Sequence, residues 1–323
     1  MTAYRTWFRR GLVCLFATSV LDGSSAHAQT YPAGPVKFIT QLAAGTATDP
    51  AMRVVIDQLG KMWGQQTLLV NQPGAGGAIA ARAAATAAPD GSTFFMAVAS
   101  TFVVLPETQT NLGFDVNDFV PIGFVGEVPM AIVVTPTLTV SSLSELIALS
   151  KKRPGGLNAA AGFRGGMTHL TTELLRSRTG AELTPIFYPS SGAAMSDLIS
   201  ERVPIGVEGL AGPLTGGQLK MLAIASPRRL PMRPEVPAVA ETLPGFAASG
   251  WFALVAPRGT PVAIVNKVSE DLRAVLARPE VRERFDAFSL STRSMSPQDL
   301  SDFIKSEREL WKPVIKQAGL GAS

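Results

Sequence analysis

Three stretches of the chain have the composition of anion sites: Gly45-Thr46-Ala47-Thr48-Asp49 with Leu42 just before it, Gly165-Gly166-Met167-Thr168-His169, and Ser190-Ser191-Gly192-Ala193. Each places small or hydroxyl-bearing residues where a helix is predicted to begin. A helix opens on backbone N–H groups that lack intrahelical partners and on the positive end of its dipole, so small residues there let a carboxylate or phosphate reach the backbone. A small-residue turn also serves close strand–helix packing, and any one of the three taken alone reads that way. Three in separate parts of one chain favour convergence on a common ligand. Ser100 and Thr101, directly after a predicted strand, join the candidate contacts.

Bond-breaking chemistry has few residues to draw on. The histidines are His27 and His169 and the one cysteine is Cys14, so a Ser-His-acid triad would have to use His169, and no G-x-S-x-G elbow accompanies it. Glu173, Asp197, Glu201 and Glu208 show no metal-ligand spacing, and nothing singles out a carboxylate pair for glycoside hydrolysis. Pro73-Gly74-Ala75-Gly76-Gly77 lacks the Lys and Ser/Thr of a phosphate loop and the spacing of a dinucleotide fingerprint. It reads as a tight turn that brings an alanine-rich helix close to a sheet. No cofactor or metal is expected. His169, at a helix start, is either a ligand contact or a structural histidine.

The elements that must position these turns alternate short β-type runs with amphipathic helices, the pattern of an α/β fold with largely parallel sheets. Val36–Thr40 reads as a strand. Asp49-Pro50 follows as N-cap and first helical residue, Met52, Val55, Ile56 and Leu59 share one helical face, and Gly60 ends the helix. Thr67–Val70, Thr93–Ala99, Met130–Val134 and Leu157–Ala161 read as further strands. Ser142 and Glu145 have capping-box spacing ahead of a helix that stops before Pro154, and Thr260-Pro261 and Ser296-Pro297 start the closing helices.

The N-terminus carries Arg5, Arg9 and Arg10 before an apolar run from Gly11 to Leu21, then Ala26-His27-Ala28, which is the layout of a secretory signal peptide cleaved after Ala28. The run is shorter than the roughly 20 residues that span a bilayer, and the later apolar stretches have strand length, so the mature chain is expected not to be membrane-inserted. Val13 precedes Cys14 where a lipoprotein signal needs a small residue. The Arg9-Arg10 pair leaves twin-arginine and ordinary secretion both open as routes to the periplasm. Removing the leader removes the only thiol, so no disulfide is expected. The leader holds three Arg and one Asp, which lowers the formal charge from +4 to +2. That near balance, with Lys151–Arg153 and Arg228–Arg233 as its densest basic stretches, argues against a nucleic-acid partner.

Together these segments resemble the Bug family, the periplasmic receptors of tripartite tricarboxylate transporters. The resemblance runs from Tyr31-Pro32 through Ala47-Thr48-Asp49 and Arg53, Asn71 and the Pro73–Gly77 turn, and Ala88-Pro89-Asp90-Gly91. It continues through Phe114-Asp115, Asp118-Phe119, Pro121, Leu157-Asn158, Gly165, His169, Tyr188, Ser191 and Asp197-Leu198 to Trp251-Phe252, Ala256-Pro257 and Gly259-Thr260-Pro261. It implies a two-lobed periplasmic binding protein fold, type II-like, with two crossover strands near Val128–Pro136 and Ala248–Pro257. Lobe 1 would be 29–129 plus 251–323 and lobe 2 would be 130–250, after a leader at 1–28. It further implies a monomer that closes on a small organic carboxylate, held by backbone N–H groups, and delivers it to membrane permease subunits. A ligand sensor for a signalling partner is the alternative, and a hydrolase using His169 and Ser191 is the third. Tyr188 and Glu208 enter the candidate site through this resemblance. Thr46, Phe163, Arg164, Met167 and Glu208 depart from the family's turns and point to an atypical ligand, larger or partly apolar, with Arg164 either a charge-assisted contact or an exposed loop cation.

Overall fold

A computed structural model describes residues 31–44, 48–162, 164–188, 191–210, 214 and 217–321, apart from the side chain of Ser191. The predicted leader and its cleavage point lie outside these residues, as do Gly45, Thr46, Ala47, Phe163 and Ser190.

The chain begins with β1 (Val36–Thr40), α1 (Asp49–Trp63), β2 (Thr67–Asn71), α2 (Ala78–Ala85) and β3 (Thr93–Val98). After a π-helical turn at Ser100–Val104 come α3 (Leu105–Thr108) and the long β4 (Phe119–Val134). The second half of the topology follows: α4 (Leu143–Lys152), β5 (Leu157–Ala161), α5 (Met167–Thr179), β6 (Leu183–Phe187), α6 (Ser191–Ile199), β7 (Ile205–Gly209), β8 (Lys220–Ile224) and α7 (Val239–Thr242). The chain then returns through β9 (Ser249–Pro257) and ends in α8 (Val262–Ala277), α9 (Pro279–Ala287) and α10 (Pro297–Gln317).

The strands order as β2-β1-β3-β9-β4-β7-β5-β6, with β8 also on β4. Pairing is parallel among β2, β1 and β3 and among β7, β5 and β6, and antiparallel wherever β4 or β9 takes part. β4 and β9 are therefore the two crossover strands of a two-lobed α/β fold. Phe119–Pro129 of β4 pairs with β9, whereas Met130–Val134 pairs with β7 and β8. Along one edge of β4, β8 hands over to β9 through three backbone bonds. Met130 N donates to Ala248 O, Ala225 N to Met130 O, and Ala248 N to Ala225 O, at 3.0, 2.7 and 2.9 Å.

Helices cover both faces of each sheet, so inner strands such as β3 and β7 are buried on both sides. Against the first sheet, one core holds Met52, Val55, Ile56 and Leu59 of α1 with Val268 and Leu272 of α8 and Phe285 of α9. The opposite core holds Ala80, Ala81 and Ala84 of α2 and Leu300, Ile304 and Trp311 of α10, and it runs on without a break to Leu143 and Leu146 of α4 and Leu170 and Leu174 of α5. A third cluster, with Ala194, Met195 and Leu198 of α6, backs the second sheet. The C-terminal helix α10 thus packs on elements of both sheets, α5 included.

The local signals mostly act as their spacing implies, with four corrections. Gly60 does not end α1. The helix runs on to Trp63 and stops at Gly64, whose left-handed φ of 63° lets its N–H reach Gly60 O. Gly60 is a packing residue: a Cβ there would lie 2.6 Å from Thr67 Oγ1 and 3.0 Å from Gln65 O. Asp49 is the first helical residue rather than the cap, and its carboxylate takes Arg53 and Asn71. Ser142 Oγ accepts from Glu145 N, but the Glu145 carboxylate returns to Ser141 N, one residue before the cap. The strand predicted at Met130–Val134 is the second part of a 16-residue strand.

Alanine is normally favoured over glycine inside a helix by about 1 kcal/mol. At Gly60 the missing space outweighs that gain, because overpacking costs about 1–3 kcal/mol. Gly60→Ala is expected to lower stability in urea denaturation, and adding Thr67→Ala should recover part of the loss. A Gly60→Ala protein more stable than the parent would show that the contact yields freely.

Candidate functional site

Between the two sheets lies a cavity of about 610 Å3, within the roughly 300–1,000 Å3 of small-molecule sites. Its rim is built from turns. Gln41, Leu42, Ala43 and Thr48 come from the β1–α1 connection, Gly74, Gly76 and Gly77 from β2–α2, Val98, Ala99 and Ser100 from the end of β3, Met167 from the start of α5 and Gly192 from the start of α6. Its floor comes from the crossover region, with Val128 and Met130 of β4, Glu208 and Gly209 of β7, and Gly250, Trp251 and Phe252 of β9.

Four helices, α1, α2, α5 and α6, therefore open on one space. Among the described residues, no Lys, Arg or His lines it. What the described rim can offer an anion is therefore the backbone dipoles of these helix starts. The glycines of β2–α2 are shaped for this place. Gly74, Gly76 and Gly77 have φ of 131°, 65° and 112°, and a Cβ on Gly77 would run into Gln41 Oε1. Gln41 in turn donates from Nε2 to Ser100 Oγ at 3.1 Å, which leaves the Ser100 hydroxyl proton to donate elsewhere.

Of the residues proposed from sequence, Leu42, Thr48, Ser100, Met167, Gly192 and Glu208 line the cavity. Gly45, Thr46, Ala47 and Phe163 lie outside the described residues, as does the Ser191 side chain. Arg164 and Gly165 line a neighbouring pocket of about 300 Å3 with Leu320, and this pocket shares Gly76 and Ser100 with the main cavity. There Arg164 Nη2 donates to Gly319 O at 3.4 Å. Gly166 and Ala193 stand at the N-terminal ends of α5 and α6 without lining either space. Thr101 is fully buried behind the wall.

The remaining candidates brace the turns. Asp49 accepts from Arg53 Nε at 2.9 Å and Asn71 Nδ2 at 3.0 Å, and Asn71 Nδ2 also donates to Leu42 O at 2.9 Å, which ties the β1–α1 turn to the end of β2. His169 is buried and its Nδ1 accepts from Gly165 N at 3.1 Å, so the proton sits on Nε2, 3.6 Å from Glu173 Oε1. Burial raises the Glu173 carboxyl, but hydrogen bonds from His169 and Arg176 outweigh it and carry the net shift downward. Thr168 Oγ1 closes the same turn by accepting from Gly162 N at 2.8 Å. Tyr188 Oη donates to Asp197 Oδ2 at 3.0 Å, which fastens the chain before α6 to that helix.

Sequence reasoning missed Gln41, Ala43, Val98, Ala99, Val128, Met130, Gly209, Gly250, Trp251 and Phe252 as lining residues. It assigned Gly74, Gly76 and Gly77 only to a turn. The missed floor residues are apolar or glycine strand positions, and only the meeting of β4, β7 and β9 turns them toward the cavity. The glycine run was visible, with its position after a strand and before a helix as the available signal.

Trp251 is held from behind. Its Nε1 donates to Glu307 Oε2 at 3.0 Å, and Trp311 Nε1 donates to the same oxygen at 3.2 Å. Beside them Glu127 accepts from Ser249 Oγ at 2.7 Å and faces Arg293 at 3.4 Å, whose guanidinium lies over the rings of Phe124 and Phe303. Burial pushes the Glu307 carboxyl above the usual carboxylate range, against the pull of the two indole donors.

The fold and the cavity define a two-lobed binding-protein architecture. Residues 51–320 match the tripartite tricarboxylate transporter family receptors, and the chain belongs to that family, which includes the Bug proteins. It is 34% identical to BugT of Bordetella pertussis over 314 residues, covering 95% of this chain and 96% of that protein. Among solved structures it is similar to Rpa4515 of R. palustris with adipate, at a TM-score of 0.80 and 30% identity over 91% of this chain and 100% of that one. It is also similar to MatC (Rpa3494) of Rhodopseudomonas palustris with bound malate, at a TM-score of 0.74 and 27% identity over 88% and 100%.

Because the folded Glu307 holds its proton more tightly than an unfolded glutamate, with its ordinary pKa of about 4.3, its contribution to stability is complete below that pH. It is lost as pH rises through the raised folded value. Glu307→Gln keeps an acceptor for both indoles and removes the titration. The stability of the parent relative to this variant should therefore fall with rising pH above about 4.3 and then level off. Paired thermal melts from pH 4 upward read this, and a difference that grows with pH would contradict the assignment.

Proposed function

We propose that this chain is a periplasmic solute-binding receptor that captures a small organic carboxylate in the cavity between its lobes and delivers it to the membrane subunits of a tripartite tricarboxylate-type transporter. The observation that carries this reading is the convergence of four helix N-termini on a cavity whose described lining residues include no Lys, Arg or His. Such a rim favours an anion through backbone N–H groups and helix dipoles, and it suits a carboxylate better than a cation or a neutral solute. The adipate and malate of the two related structures are carboxylates of this size class.

The lobes are proposed as 29–129 plus 251–323 and 130–250, joined where Met130, Ala225 and Ala248 exchange backbone bonds. A few residues at such a joint can absorb the rotation that closes two lobes on a ligand. Export rests on the leader read at 1–28, and no helix among the described residues is long and apolar enough to cross a membrane. Receptor rather than hydrolase is supported by His169, whose two ring nitrogens face Gly165 N and Glu173 inside the fold.

Mass spectrometry of gently purified protein is expected to reveal a co-purified small acid. A ligand at about 100 times its Kd should then stabilise the protein by about 2.7 kcal/mol and raise its Tm. Ser100→Ala should weaken that ligand by about 1 kcal/mol through loss of one hydrogen bond. Silence across a broad carboxylate panel would refute the ligand class. Deleting the gene separates the roles: loss of uptake supports transport, whereas intact uptake with lost transcriptional induction would replace it with signalling.

A further inference from the structure

A separate pocket of about 210 Å3 opens where β4, α8, α9 and the connection from α9 to α10 meet, and its described lining shares no residue with the cavity between the sheets. Three arginines from three elements converge on it, Arg273 of α8, Arg282 of α9 and Arg293 of the connection, together with the hydroxyl residues Thr292 and Ser294. Among the described residues its lining includes no Asp or Glu. The guanidinium groups are lightly engaged. Arg273 donates only from Nε to Ser269 O, at 3.4 Å, and the Arg282 side chain makes neither a hydrogen bond nor an ion pair. Arg293 faces Glu127 Oε1 at 3.4 Å, longer than the roughly 2.7–2.9 Å of a charge-assisted bond, and lies over the rings of Phe124 and Phe303. Thr292 Oγ1 is buried without a hydrogen-bond partner.

Three positive groups around one hollow repel one another, and a buried hydroxyl without a partner is costly. An anion between them relieves both. The donors exceed what one carboxylate can satisfy, since each guanidinium carries five N–H groups in a fixed fork and a carboxylate accepts about four bonds. A phosphate-type oxyanion brings close to two negative charges and acceptor oxygens in several directions. The space is also smaller than the roughly 300–1,000 Å3 of ordinary small-molecule sites, which suits one compact anion.

We propose that this pocket is a second anion site, which takes a compact divalent oxyanion, inorganic phosphate in the simplest case, on Arg273, Arg282 and the Thr292 hydroxyl, with Arg293 shared between the anion and Glu127. The shared arginine sets the site beside the start of β9, because Glu127 accepts from Ser249 Oγ and exchanges both backbone bonds with Ser291.

Isothermal titration calorimetry with sodium phosphate at about pH 7.5, where the dianion predominates, and at constant ionic strength tests this. The parent protein is expected to bind phosphate saturably with a Kd of about 1 mM or tighter. Arg273→Gln combined with Arg282→Gln should weaken that binding at least about tenfold, and Thr292→Val should weaken it in the same direction. Lys151→Gln with Lys152→Gln, which removes the same charge from the end of α4, should change it by less than about twofold. Phosphate binding that the arginine pair leaves unchanged would belong elsewhere, the helix starts of the main cavity included, and overturns the proposal. A parent protein that takes up no phosphate by about 10 mM overturns it as well, and so does one that binds phosphatidylglycerol vesicles but not free phosphate. Arg282→Gln alone, at an exposed position, carries the comparison if the double variant does not fold. None of these outcomes bears on the carboxylate titrations.

Discussion

The structure depends on β4 keeping its hydrogen bonds while it changes sheets. Sixteen residues of one strand serve two sheets, and at the change of partner a buried N–H or C=O left unpaired would cost about 1–3 kcal/mol. Met130 avoids this by giving its N–H to Ala248 and its carbonyl to Ala225, which are joined to each other. That arrangement also decides where the cavity is. Val128 and Met130 lie at the handover, Glu208 is opposite the next residue on β7, and Trp251 is in register with Glu127 on β9. The floor of the site is thus a by-product of satisfying the backbone where two sheets meet.

The same economy governs the electrostatics. An arginine on the rim would bring a strong, permanent charge that has to be desolvated whenever the lobes close. Backbone N–H groups at helix starts cost no side-chain entropy and are aimed by the helices themselves. Rigidity must then come from outside the pocket, and the buried polar residues supply it. Asp49 with Asn71 holds the first turn, and His169 with Thr168 holds the turn before α5. Glu307 holds the indole of Trp251. These residues keep the backbone of the rim and the floor in place.

Much of this order was legible in the sequence, for a physical reason. Strand and helix periods are local, so Val36–Thr40, Leu157–Ala161 and the α1 face of Met52, Val55, Ile56 and Leu59 appear where their pattern puts them. Small residues before a helix are also local, and the turns at Thr48, Met167 and Gly192 do meet at one cavity. Glycine is where local reading fails, because one letter stands for two different uses. Gly60 looked like a helix end but makes room for Thr67, and Gly74–Gly77 looked like plain turn chemistry but also forms a cavity wall. The histidine remained ambiguous for a similar reason, since only the fold reveals that Gly165 N and Glu173 already occupy its ring. Val98, Val128, Met130 and Phe252 carry no local mark at all, because an apolar strand residue comes to line the cavity only through the crossing of β4 and β9.

This division suggests how a receptor of this architecture can change ligand without changing fold. On the proposed reading the rim recognises what carboxylates share, through backbone groups that most side-chain substitutions leave untouched. The floor is made of side chains on strands whose pairing does not depend on their identity, so Glu208, Met130 or Trp251 can vary while the backbone bonds of β4, β7 and β9 persist. Affinity for the class and selectivity within it therefore rest on different parts of the molecule.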